Sequence, residues 1–154
     1  ASSQKQSTLL VAGSDDNVDH SNRDLKLAGG TEPSHAAHQG TDCQKLSHTI
    51  RSEANKLAAA LKSMSTSELA RAAMEIDASS LTVRSIQVSD PQVVDYRDRQ
   101  AEYFAKFAAQ LRKLEKAQAA NNMHEAQQVK SNVMQTVKEK KELVLEMASY
   151  CQNR

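Results

Sequence analysis

The stretch SDPQVVDYRDRQAEYFAKFAAQLRKLEKAQAANNMHEAQ, residues 89–127, contains a helix start, a long helix, a stop and a second start. Asp90 is a helix-capping residue, and Pro91 follows at the first helical position, where its missing N–H costs nothing. Val93, Tyr96, Phe104, Phe107, Leu111 and Leu114 then mark one apolar face at helical spacing. "AANN" interrupts the pattern, and Asn122 with Glu125 three residues on has the spacing of a capping box. The next apolar face reads Ala126, Val133, Val137, Val144, Met147 and Cys151. Two long helices joined by so few residues must pack as antiparallel neighbours.

The same punctuation recurs upstream. Thr41 with Gln44 predicts a helix start, followed by the stripe Cys43, Leu46, Ile50, Ala54, Leu57, Leu61 and Met64. Ser65 with Glu68 predicts another, followed by Leu69, Ala73, Ile76, Val83 and Ile86. Met74, Ala78, Leu81 and Val88 form a neighbouring row, so this second helix is apolar over a wide arc. Four amphipathic helices with short connections specify an all-α, up-down-up-down antiparallel four-helix bundle over residues 41–154. The aromatic share of 3% supports helices over sheets, which draw on aromatic and β-branched residues. Four of the five methionines, Met64, Met74, Met134 and Met147, read as core gap-fillers.

Residues 1–40 are different. All four glycines and one of the two prolines lie there, with no sustained hydrophobic period, so the segment reads as a flexible tail or tether. Leu9–Val11 and Leu25/Leu27 are short apolar pieces within it, too brief to form a core. The chain opens at Ala without Met and shows neither a signal-peptide pattern nor a span long enough for a transmembrane helix, and is expected to be a mature form.

The two cysteines, Cys43 and Cys151, bracket the bundle. An up-down-up-down topology brings the start of the first helix and the end of the fourth to one end of the bundle, on adjacent helices, within reach of a disulfide. A disulfide implies an oxidising compartment. The expected location is therefore extracytoplasmic: periplasmic, lipoprotein-like with a lipid-anchored tether, or secreted.

Net charge is +1, which gives no case for nucleic acid. The tail through residue 42 is acidic, with three Lys/Arg against six Asp/Glu, and the remainder is basic, with seventeen against thirteen. "RKLEK" (112–116) and "KEKKE" (138–142) read as solvated helix faces, and Glu53, Glu115, Glu139 and Glu142 as members of charged faces. His35 and His38 in "SHAAH", with His20, have the spacing of a weak metal site but no preorganised ligand set, and no metal is expected. For haem, no Cys-x-x-Cys-His attachment sequence exists, and His48 and His124 fall near opposite ends. No cofactor is expected. Nothing assembles a nucleophile, a base and an orienting acid, so the chain is expected to be no enzyme.

The functional expectation is a non-enzymatic interaction or scaffold module with a protein partner. The alternative is a small hydrophobic ligand or haem held in the bundle core. The last two helices are read as about 30 residues against about 22 for the first two, which predicts an overhang of roughly 10–12 Å at the end away from the cysteines. That places an apolar, partner-binding tip at Leu114, Ala117, Ala120, Met123 and Ala126, ringed by Arg112, Lys113 and Lys116.

Overall fold

The computed structural model describes the backbone of residues 35–62, 64 and 67–152, with side chains from residue 39 onward. It contains four helices: α1 (His35–Lys62), α2 (Leu69–Arg84), α3 (Pro91–Ala119) and α4 (Met123–Gln152). They pack as a four-helix bundle around one core, in which Leu46, Leu69, Ile76, Val83, Val93, Phe104, Phe107, Leu111, Leu114 and Val133 are among the fully buried side chains.

The ends of the last two helices follow the local sequence closely. Asp90 is extended at φ −64° and ψ 123°, and its side chain accepts the Val93 N–H at 3.1 Å. At the other end of α3, Asn121 takes the left-handed conformation with φ 55°. The Asn121 N–H then reaches Gln118 O at 3.0 Å and the Asn122 N–H reaches Ala117 O at 2.9 Å. This pairing satisfies carbonyls left open at a helix end, with asparagine where glycine is commoner. Asn122 turns at once to the next helix, accepting the Glu125 N–H on Oδ1 at 3.0 Å. "AANN" closes one helix and opens the next.

The first two helices depart from the expected boundaries. α1 begins at His35, so residues 35–40 belong to it and Thr41 is an exposed residue within it rather than its cap. Tertiary contacts outweigh the local start signal and the cost of about 1 kcal/mol for a helical glycine. Gln39 donates its Nε2 to the Tyr150 carbonyl at 3.2 Å, and Gly40 is buried. α2 is shorter than expected, 16 residues against 28 in α1. Glu68 stands at its N-cap without a side-chain capping bond; Ser65 lies outside the described residues, as do His20, Leu9–Val11 and Leu25/Leu27. Ile86 and Val88 fall in the connection after α2, half-buried against the core.

α2 and α3 form the most intimate pair, and small residues are buried on both, Ala72, Ala73, Ser79 and Ser80 on α2 and Ala101 and Ala108 on α3. The Ser80 hydroxyl crosses to the Ala101 carbonyl at 2.7 Å, which removes the penalty of burying it. α3 and α4 run antiparallel, with matching pairs stepping in opposite directions: Tyr150 to Asp90, Arg99 to Glu146, Lys106 to Glu139 and Gln110 to Thr136.

The inward seam of α4 is Ala126, Val129, Val133, Thr136, Lys140, Leu143, Met147 and Cys151. Val137 and Val144 stand half-buried at its flank. The solvated reading of 138–142 therefore fails at Lys140, which is buried with its Nζ 5.0 Å from the centroid of the Phe104 ring. Burial pushes its pKa down to about 8, and among the described residues no carboxylate pairs with it. Glu53 is likewise buried rather than part of a charged face, its carboxylate met by Lys56 Nζ at 3.2 Å.

Candidate functional site

The base of the bundle is bolted together. Cys43 and Cys151 meet in a disulfide with Cα atoms 6.0 Å apart. Beside it, the Asp42 carboxylate accepts the N–H groups of Ser89 and Asp90 at 2.8 and 2.7 Å, tying α1 to the connection before α3. Asp90 in turn accepts the Tyr150 hydroxyl at 2.8 Å. Desolvation first, and then the hydrogen bond to Asp90, push the pKa of that phenol up to about 12. Tyr96 stacks at a tilt on Tyr150 with ring centroids 5.8 Å apart. α1, α3, α4 and one connection thus share a network of short, specific contacts, and this end works as a rigid foundation.

The opposite end does not present the expected tip. Leu114 is 0% exposed, and Ala117 and Ala126 are also buried. Met64, two residues past the end of α1 at Lys62, reaches α3 at this level. Gln118 Nε2 donates to the Met64 carbonyl at 2.9 Å, and Met64 packs against the core. Of the five apolar residues expected at the tip, Met123 and Ala120 are exposed, with Lys113 and Lys116 on the outer surface of α3. Arg112 is drawn away to Asp77 of α2 in an ion pair. The Leu114–Met123 grouping is therefore a buried residue and a surface residue, not a patch. Leu114→Ser is expected to lower stability by about 3–5 kcal/mol, as large-to-small changes in a packed core do. Met123→Ser is expected to stay within about 0.5 kcal/mol of the parent. Chemical denaturation of both variants checks the pair.

The remaining candidates disperse. His48 and His124 are both exposed, on α1 and α4. The side chains of His35 and His38 lie outside the described residues, and among the described residues no three His, Cys, Asp or Glu side chains gather into a possible metal site. A shallow cleft between α3 and α4, lined by Arg99, Glu102, Tyr103, Lys106 and Glu139, has its cations occupied. Arg99 pairs with Glu146 and Asp95, each at 3.3 Å, and Lys106 pairs with Glu139 at 3.6 Å.

What sequence reasoning did not place is the second apolar row of α2. Read as part of a wide apolar arc, it faces outward within the helix: Met74 and Leu81 are each 68% exposed, and Ala70 and Ala78 are exposed too. At 100° per residue, Ala70, Met74, Ala78 and Leu81 fall within about 80° of arc, directly opposite the buried row of Leu69, Ala72, Ile76, Ser79 and Val83. The charges of α2 stand at the two flanks, Arg71 and Glu75 on one and Asp77 and Arg84 on the other. The outermost faces of the other helices are polar. Met134 and Leu145 of α4 are exposed beside Lys138 and Glu142, and the two methionines read as core fillers, Met74 and Met134, are surface residues.

An apolar helix face in water keeps a hydration cost that only an outside surface relieves. The signal was present in the sequence as a helix apolar on two faces. Its meaning depended on how many neighbours that helix acquires.

No protein-family model, curated protein or solved structure matches this chain.

Proposed function

We propose that this chain is a non-enzymatic interaction module that works outside the cytoplasm, presenting the outer face of α2 to a protein surface. The observation that carries the reading is the row Ala70, Met74, Ala78 and Leu81, free of charge along its centre and exposed. Two further features support it. The pairing of Cys43 with Cys151 suits an oxidising compartment, where such bonds persist. No helix among the described residues is long and apolar enough to cross a membrane, so anchorage at a membrane would fall to the N-terminal segment acting as a tether. The welded base gives α2 a stiff frame, and a preorganised surface loses less entropy on docking.

A photo-activatable residue at position 78 tests this in the organism's own extracytoplasmic fraction. Irradiation is expected to yield a discrete crosslinked species from position 78 and none from Gln127, an exposed position of α4. Equal, diffuse labelling from both positions would remove the outer face of α2 as the site.

A further inference from the structure

We infer that the distal half of α1, residues 54–62, is a strap, released by a buried polar layer, that lifts while the other helices and the base stay packed. The motion centres on one cross-section of the core. At the base, Cys43 meets Cys151 and Asp42 meets Asp90. Counting from there, Glu53 lies ten residues along α1, Gln100 ten along α3 and Lys140 eleven along α4. At 1.5 Å per residue all three stand about 15–17 Å above the base. All three are buried. α2 supplies the buried Ser79 and Ser80 at the same level, since the Ser80 hydroxyl reaches the Ala101 carbonyl. Every helix thus places a polar side chain in one layer of the core.

The layer is only half satisfied. Its serines donate to carbonyls, Ser79 to that of Glu75 and Ser80 to that of Ala101. Gln100 is 0% exposed, and neither its amide nitrogen nor its amide oxygen has a hydrogen-bond partner among the described residues. Lys140 meets the Phe104 ring rather than a carboxylate, and the Glu53 carboxylate is met by Lys56 of its own helix. Buried polar groups without partners cost free energy, and charged ones cost more. A motion that brings water to this layer recovers that cost without unfolding the whole protein.

α1 is the helix free to make it. α2 packs most closely on α3, and α1 packs mainly on α2 and least on α4. α4 is tied to α3 from Tyr150–Asp90 to Thr136–Gln110. On the base side of Glu53, α1 is held by the disulfide, Asp42 and Gln39. Beyond Glu53 its buried apolar side chains are Leu57 and Ala60. The Gln118 bond to the Met64 carbonyl latches the far end.

Residue-resolved hydrogen exchange of the full, oxidised chain at pH 7 reads the opening. Amides of residues 54–62 are expected to exchange on the order of 100-fold faster than those of residues 104–111 in α3, as one block of similar protection. Lys140→Met and Gln100→Leu remove the cost that opening relieves, so each should slow that block on the order of tenfold or more. Lys138→Met, at an exposed position of α4, should leave it unchanged. Protection of the block equal to that of α3, or faster exchange in α2 or α4, would overturn the strap. So would protection that falls residue by residue toward Lys62 and ignores both variants, which is ordinary fraying of a helix end. A block that opens first but is slowed by neither variant would overturn its release by the polar layer.

Discussion

Replacing Lys140 by Met is expected to make the protein more stable at pH 7, by about 3 kcal/mol. The lysine is buried against Phe104 in the α4 seam, and burial alone lowers its pKa from 10.5 to about 8. At about 1.4 kcal/mol for each tenfold in the proton equilibrium, that depression measures how much the folded state disfavours the charged amine. Methionine has similar length and no charge to desolvate, so the seam keeps its packing. The loss of the contact between the cation and the Phe104 ring offsets part of the gain.

The pH dependence has a definite sign. Between about pH 8 and 10.5 the unfolded chain holds a proton on Lys140 that the folded chain has released, so stability rises with pH across that window. Below pH 8 the penalty is present in full. Tyr150 acts the other way. Its pKa is raised in the folded state to about 12, so above pH 10 the unfolded chain loses the phenolic proton first and stability falls. Denaturant midpoints at pH 7 and pH 9.5, with the disulfide intact, separate the two. The parent should gain between these values, and Lys140→Met should lack that gain. A Lys140→Met protein less stable than the parent at pH 7 would show that the amine has a stabilising partner.

Breaking the Cys43–Cys151 bond has the opposite and larger effect. The bond joins residues 108 apart in sequence, and a loop of about 100 residues corresponds to about 4.7 kcal/mol of chain entropy removed from the unfolded state. For a domain of this size each kcal/mol is worth roughly 4–8 °C in melting temperature. Cys43→Ser/Cys151→Ser, or the parent in reductant, is therefore expected to melt on the order of 20 °C lower. Calorimetry with and without reductant checks this, and thiol titration of the denatured, unreduced protein should find no free thiol. Two titratable thiols there would show the bond unformed and weaken the case for an oxidising compartment. The base network limits the local consequences: Asp42, Asp90, Gln39 and Tyr150 still join the helices at that end after reduction.

The four-helix class, the capped start of α3 at Asp90, the reversal at Asn121–Asn122 and the meeting of Cys43 with Cys151 were all legible in the sequence. Each depends on residues close in the chain, or on the parity of helices that alternate up and down. A capping side chain reaches only the next turn, and a short connection forces its helices antiparallel. Distant partners control the rest. Whether a second apolar row on α2 is core or surface depends on which helices lie against it, and α3 covers only the opposite face. Lys140 stands within a run of charges, but the seam of α4 repeats at steps of three and four and carries it inward. Leu114 was expected at an open tip, but it is fully buried in the common core, against which Met64 also packs while its carbonyl accepts Gln118 Nε2. Hydrophobic periodicity determines that a helix has an apolar face. How much of that face is buried depends on the lengths and angles of its neighbours, and those arise only when the whole bundle packs.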